Sequence, residues 1–341
     1  MEKLKVGIIG GGRIGKVHAQ SITNLVPSAS VVAIADPFMN KELEEWSKSK
    51  GIKETYKDPY DIINHKKIDA VLICSPTDTH TELIKAAAIA KKHIFCEKPV
   101  DTDLNRIYET MDVVRENGVL FQIGFNRRFD HNHSAVKEAV EDGKVGDVHI
   151  VKITSRDPEP PSPEYVKVSG GIFLDMMIHD FDMVRFLANS EVKEVFASGA
   201  VLVDPEIGKA GDVDTAIVTL TLENGAIAVI DNSRQAVYGY DQRTEVFGSK
   251  GCVKVENDTK SLVELSTKER VESEKPLYFF LERYMDSYAT EIIDFIDSVQ
   301  NGAPIKCGIE DAIRPVEIAL AASKSLKENR PVLISEVAFS K

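Results

Sequence analysis

Asp175 and His179 stand four residues apart in the run Asp175-Met176-Met177-Ile178-His179-Asp180-Phe181-Asp182. On one continuous helix that spacing puts the carboxylate and the imidazole on the same face. An imidazole that is neutral near pH 7 can accept a hydroxyl proton while hydride leaves the same carbon. A neighbouring carboxylate would orient it. The plainer reading of His179 taken alone is a buried histidine bonded for packing. A metal reading is the other rival, since Asp180 and Asp182 are also potential ligands. Those two point elsewhere on a helix, so a tetrahedral site is geometrically poor and no metal is expected.

A second set of residues suits phosphate rather than proton transfer. Gly10-Gly11-Gly12-Arg13-Ile14-Gly15 matches G-x-G-x-x-G directly after an expected strand and at the start of an expected helix. Gly10 allows the tight turn, Gly12 lets the backbone approach a pyrophosphate, and Gly15 permits close helix–sheet packing. The helix N-terminus at Arg13 and Ile14 then receives the negative charge. Such a turn alone supports only nucleotide binding of some kind. Asp36 sharpens it, because it ends the second expected strand where an acid receives ribose hydroxyls. A carboxylate there repels a 2′-phosphate, and Pro37-Phe38 follow rather than an arginine, so NAD is favoured over NADP.

Lys98 falls in His93-Ile94-Phe95-Cys96-Glu97-Lys98-Pro99, at the C-terminal end of an apolar run. Ligands of open α/β sheets bind beyond such strand ends. An ammonium placed there can hydrogen-bond a reacting oxygen and stabilise its developing charge. Glu97 and Lys98 are therefore counted with the cofactor-binding residues. Ser75 and Thr77, at the strand end Cys74-Ser75-Pro76-Thr77-Asp78-Thr79-His80, are expected to add cofactor contacts. His80 reads as a packing residue at a helix start.

The elements that must position these groups fall into two grammars. Up to Gly124, continuous apolar runs (5–9, 31–35, 70–74, 93–96, 119–124) alternate with helical patterns (13–25, 40–50, 79–91, 104–116). Continuous rather than alternating strands indicate a parallel sheet covered on both faces. After Phe125 come a helix (134–141), a long strand (148–155), a Pro-rich loop and a helix from Phe173 to Leu187. Several strands follow between Glu194 and Leu265, then two helices near 279–300 and 310–328. Successive strands with hairpin-like turns suggest a largely antiparallel, open sheet. The expected fold is α/β: a Rossmann domain over 1–124 and an α+β domain over 125–341. The open face of the second sheet needs cover, and self-association is the expected solution.

Composition narrows the function classes. The chain has 341 residues, 43% of them hydrophobic and 28% charged, ordinary for a soluble globular protein. A net charge of -12 repels phosphate backbones, which disfavours a nucleic-acid role. The four cysteines, Cys74, Cys96, Cys252 and Cys307, form no C-x-x-C pair and read as small thiols rather than metal or redox groups. The N-terminus shows no signal region, and no apolar run reaches the length of a membrane span. A cytoplasmic location and no membrane partner are expected.

Taken together, these landmarks resemble the glucose-fructose oxidoreductase/inositol dehydrogenase/rhizopine-catabolism family over nearly the whole chain. The family's catalytic lysine, aspartate and histidine match Lys98, Asp175 and His179. Gly124-Phe125-Asn126-Arg127-Arg128-Phe129-Asp130, Gly211-Asp212-Val213-Asp214-Thr215 and Tyr238-Gly239-Tyr240-Asp241-Gln242-Arg243 are similar to the bacterial inositol 2-dehydrogenases. So are Thr154-Ser155-Arg156-Asp157-Pro158 and the segment from Ser169 to Asp175. The resemblance implies oxidation of myo-inositol to 2-keto-myo-inositol with NAD, in inositol catabolism, by a homotetramer. It implies His179 as general base, Asp175 as its orienting partner, and Lys98 as the group that polarises the C2 oxygen. Asn126, Arg127, Asp157 and Tyr240 are by position the hydroxyl-binding candidates. Arg127 and Arg128 could equally hold an acidic face or a subunit contact. Two rivals stay open: a related scyllo-inositol or sugar dehydrogenase, and a nucleotide-binding sensor without turnover.

Overall fold

Runs of aliphatic and β-branched residues in the first third form short strands separated by helices. In chain order these are β1 (Leu4–Ile9), α1 (Arg13–Leu25), β2 (Ala29–Ala35), α2 (Lys41–Ser49), β3 (Glu54–Tyr56) and α3 (Pro59–Ile63). They continue with β4 (Ala70–Ile73), α4 (His80–Ile89), β5 (His93–Glu97), α5 (Leu104–Asn117) and β6 (Phe121–Gly124). The structure is a computed structural model describing residues 3–338; Met1, Glu2 and the last three residues lie outside it.

All six strands are parallel, in the order β3-β2-β1-β4-β5-β6. The direction of winding reverses between β1 and β4, which defines the ligand-binding edge of a doubly wound sheet. Every residue of β4 is buried, as strands covered on both faces must be. Asn40 is the cap rather than the first turn of α2, its Oδ1 accepting from Leu43 N at 3.0 Å. β3 and α3 were not expected: β3 is a three-residue Glu-Thr-Tyr edge strand with no apolar run to announce it.

The remaining elements are α6 (His131–Glu141), β7 (Val148–Arg156), α7 (Pro163–Ser169), α8 (Gly171–Asp175), α9 (Ile178–Ala188), β8 (Val192–Ala200) and α10 (Pro205–Lys209). Next come β9 (Thr215–Leu222), β10 (Ile227–Ser233), β11 (Asp241–Gly248), β12 (Gly251–Val255), β13 (Glu264–Ser266) and β14 (Val271–Ser273). The last are α11 (Phe280–Arg283), α12 (Met285–Asn301), α13 (Ile309–Glu328) and β15 (Val332–Leu333). Seven strands form a sheet in the order β12-β11-β7-β10-β9-β8-β15. Every pair is antiparallel except β7 with β10. β13 and β14 form a separate small hairpin.

The compact units differ from a single cut after Gly124. One holds the chain up to Phe129 together with Asp286–Arg314; the other holds Asp130–Met285 and the chain from Pro315 onward. The physical reason is α12. Its Ile292, Phe295 and Ile296 belong to the core that contains Val6, Ile8, Leu72 and Phe95, and the Phe95 and Phe295 rings are 6.0 Å apart. A helix far along the chain thus completes the first hydrophobic core. No helix among the described residues is long and apolar enough to cross a membrane.

Candidate functional site

Steric demands fix the glycine-rich turn. Gly10 has φ +105°, and a Cβ on it would lie 2.6 Å from the Cys74 carbonyl group. A Cβ on Gly15 would lie 1.9 Å from the Gly10 carbonyl oxygen, so only glycine lets α1 sit this close. At Gly12 the requirement is different: nothing lies within 4 Å of where its Cβ would be. Gly12 is the N-cap of α1, with no capping side chain and no acid in the first turn. The first-turn amides, those of Arg13 and Ile14 among them, therefore present a partial positive charge that no capping side chain takes up.

Asp36 folds back on the same turn. Its Oδ2 accepts from Gly11 N at 2.7 Å and its Oδ1 from Phe38 N at 2.8 Å. Each carboxylate oxygen keeps a further lone pair with which to accept a hydroxyl. A helix N-terminus without a side-chain cap, for an anion, beside an anchored acid, for a diol, forms the set of groups that a dinucleotide requires. The residues fit NAD.

Two further turns leave the same sheet edge. After β4, Thr79 Oγ1 donates to the Pro76 carbonyl at 2.7 Å, so the Ser75 hydroxyl donates to Thr79, also at 2.7 Å. Thr77 opens a short 3-10 turn there and is half-buried. After β5, the Lys98-Pro99 peptide is cis. His80 is buried between these turns, with one ring nitrogen 2.8 Å from a backbone carbonyl oxygen of each.

Glu97, expected to face the cofactor, is held by protein. His18 Nε2 and Glu97 Oε1 are 2.7 Å apart, and the His18 ring meets Phe95 and Tyr288 edge-on at 5.1 and 5.9 Å. Glu291, on α12 and fully buried, places a carboxylate oxygen within 4.8 Å of both. Burial, with the Glu97 charge adding to it, pushes the Glu291 carboxyl well above the ordinary range. Burial likewise raises the Cys74 and Cys96 thiols, which makes them inert at neutral pH. Neither His18 nor Glu291 was anticipated. His18 and Glu97 are 79 residues apart in sequence, Glu291 is farther still, and only the fold brings them together.

The segment after β6 separates its polar residues. Asn126 is buried and donates through Nδ2 to Ser287 Oγ at 3.2 Å. Arg128 donates to the Lys306 carbonyl at 3.0 Å and to Asp311 Oδ1 at 2.7 Å, so it holds an acidic face near the start of α13. Arg127 is buried beside it.

In the second unit the expected helix from Phe173 to Leu187 is broken. α8 ends at Asp175 and α9 begins at Ile178, with Met177 N bonded to Ile172 O at 2.8 Å across the break. The i,i+4 argument for Asp175 and His179 therefore does not apply, because the two sit on successive helices. Asp175 gains partners of another kind. Its Oδ1 accepts from the Tyr165 hydroxyl at 2.8 Å and its Oδ2 from Arg234 Nη2 at 3.0 Å. Burial raises the Tyr165 hydroxyl pKa, and the Asp175 charge adds to it. Tyr240 is buried in an aromatic group, edge-on to Phe279 and Tyr284 at 5.9 and 6.0 Å.

Comparison with known proteins matches both parts of this architecture. Residues 4–125 match the oxidoreductase family model with an NAD-binding Rossmann fold, and residues 133–254 match the GFO/IDH/MocA C-terminal domain. The myo-inositol 2-dehydrogenase of Thermotoga maritima is 49% identical over 334 residues, which is 98% of this chain and 99% of that one. The chain belongs to the GFO/IDH/MocA oxidoreductase family. The scyllo-inositol 2-dehydrogenase (NAD(+)) of Bacillus subtilis is 34% identical over 97% of this chain and 96% of its own. The crystal structure of a probable dehydrogenase from Thermotoga maritima superposes with TM-score 0.96 at 50% identity, covering 98% of this chain and all of that one. The family is NAD-binding, as the Gly10–Gly15 turn and Asp36 require.

Proposed function

We propose that the protein oxidises myo-inositol at C2 to 2-keto-myo-inositol (scyllo-inosose) with NAD. The observation that carries this reading is the near end-to-end similarity to a myo-inositol 2-dehydrogenase at 49% identity. Bound NAD supplies the hydride acceptor. His179 takes the alcohol proton on an imidazole nitrogen as the C2–H bond breaks. Lys98 donates a hydrogen bond to the C2 oxygen, and Asp175 presents a carboxylate to the reacting region. Gly10, Gly12, Arg13, Ile14, Gly15 and Asp36 hold the cofactor, with Ser75, Thr77 and Glu97 shaping its further contacts. Asn126, Arg127, Asp157 and Tyr240 bind substrate hydroxyls.

The test follows NADH absorbance with a panel of inositols and hexoses, and includes His179→Ala as a control. Turnover highest with myo-inositol, and lost in the variant, supports the reading. Preference for scyllo-inositol would move the chain to the second reading, favoured by its similarity to the Bacillus subtilis enzyme. No turnover with any member would favour a nucleotide-binding sensor.

We also propose a cytoplasmic homotetramer joined through the open face of the second sheet. Ile227, Ile150 and Phe247 are in register across β10, β7 and β11, and Ile227 and Phe247 are 51% and 44% exposed. Such an apolar row favours cover by another copy. A monomer by light scattering at micromolar concentration would count against it. The four cysteines are free, in keeping with a reducing compartment.

A further inference from the structure

Three carboxylates, those of Asp157, Asp175 and Asp212, gather around one guanidinium in the second unit. Arg234, the residue after β10, is only 4% exposed. Its Nη2 donates to Asp175 Oδ2 at 3.0 Å, and its Nη1 approaches Asp157 Oδ2 at 3.4 Å. The backbone of Arg234 is itself pinned, its N–H donating to the Asp214 carbonyl at 2.8 Å. Tyr165 donates to the other oxygen of Asp175, and Asp212 accepts from Ile172 N at 2.9 Å. Burial raises the Asp212 carboxyl, and the Asp175 charge pushes it the same way against Arg234 and the backbone bonds.

Arginine cannot shed its proton in this setting, so Arg234 is a permanent positive charge between two acids. Without it the two carboxylates that it bonds would face each other uncompensated, and a like charge disfavours the second ionisation. The planar fork also fixes their separation, which a lysine could not do. Each carboxylate oxygen retains lone pairs able to accept substrate hydroxyls. Side-by-side acceptors match neighbouring hydroxyls on a polyol ring. The acids outnumber the base, so the cluster repels a phosphate or carboxylate on a substrate.

We propose that Arg234 is the positioning residue that makes Asp157 and Asp175 a paired hydroxyl acceptor, and that this pair confines the site to uncharged polyols. The inference rests on the polyol-oxidising reading and deepens it.

The test compares wild type, Arg234→Gln, Arg234→Lys and Tyr165→Phe by kcat, KM, pH profile and NAD binding. Arg234→Gln is expected to raise KM for the polyol by about tenfold to a hundredfold, the loss that follows removal of a charged hydrogen bond. It also moves the acid limb of kcat/KM to higher pH, because one carboxyl now keeps its proton. Arg234→Lys restores the acid limb but not KM, and NAD affinity is unchanged in both. Wild type neither oxidises inositol monophosphate nor is inhibited by it at concentrations where myo-inositol saturates.

An unaltered KM and pH profile in Arg234→Gln, or competition by the monophosphate, would overturn the proposal. If the buried substitutions do not fold, Tyr165→Phe and the monophosphate competition still decide it, since Tyr165→Phe should raise KM with NAD binding intact. Wild type inert toward every inositol is a separate result: it removes the polyol reading, and this inference falls with it.

Discussion

The imidazole of His80 lies 2.8 Å from the carbonyl oxygen of Pro99 through Nδ1. Through Nε2 it lies the same distance from the Ser75 carbonyl. One side chain at the start of α4 therefore straps the turn after β4 to the turn after β5, which carries Lys98. A neutral imidazole has a single N–H, so it donates to only one of these carbonyls at a time. Burial lowers the His80 pKa while the two carbonyls oppose that shift. A histidine depressed in the folded state binds its proton more readily when unfolded. Burial of the neutral ring therefore contributes stability above the ordinary histidine value, about 6.5. That contribution is lost as pH falls from there toward the folded value, because a charged imidazolium would then have to be buried.

His80→Phe keeps the bulk and removes both polar contacts. It is expected to raise KM for NAD about tenfold, in line with one or two lost hydrogen bonds, and to lower Tm. Titration of NAD by fluorescence checks the first effect and thermal melts the second. Wild-type NAD affinity in a folded His80→Phe protein would show that the two turns hold their places unaided.

The first sheet was legible because its strands are uninterrupted aliphatic runs, such as Ala70–Ile73, bounded by glycine or charge. β3 was not, because an edge strand needs no apolar pattern when one side faces water. The break at Met176 and Met177 was hidden for the opposite reason: both residues are apolar, and either a continuous or a broken helix buries them. The site residues nearest the glycine turn could be read from local spacing. Arg234 and Glu291 could not, since Arg234 meets Asp157 across 77 residues and Gln122 meets the Glu291 carbonyl across 169. Only the closure of each core reveals such partners.

Gly12 and Gly15 separate binding from folding. Gly12→Ala places its methyl in open space, so Tm should be unchanged while NAD affinity falls, because the methyl occupies the approach to the α1 amides. Gly15→Ala forces a methyl against the Gly10 carbonyl oxygen and should lower Tm or prevent folding. Equal losses of stability in the two variants would mean the open face at Gly12 has been misread.

Asp36→Ala removes a charged acceptor from Gly11 and Phe38 and, on the proposed reading, from the ribose. NAD should bind about tenfold to a hundredfold more weakly, the cost of losing hydrogen bonds to a charged group. The NADP-to-NAD ratio of kcat/KM should rise, because the repulsion of a 2′-phosphate is gone. Steady-state kinetics with both cofactors read this directly, and an unchanged ratio would mean that Asp36 only anchors the turn.

Glu291 offers a test of the buried acid group at the heart of the first unit. Neither carboxylate oxygen has a hydrogen-bond partner, and the groups facing it are the Glu97 carboxylate, the His18 imidazole and the Cys74 thiol. Burial and the Glu97 charge hold its pKa well above the ordinary range. The folded state therefore keeps a proton that the unfolded chain gives up at the ordinary glutamate value of about 4.3. Stability falls as pH climbs from there toward the folded value. Glu291→Gln is neutral at every pH and should lack that slope, so its Tm advantage over wild type should grow as pH rises above the ordinary glutamate value. A constant offset across that range would show that Glu291 is not the group holding the proton. A divalent cation would instead require both carboxylates ionised, and EDTA would then lower the wild-type Tm but not that of the variant. The expected result is no effect of EDTA on either, because a neutral, protonated Glu291 stabilises the cluster without a metal.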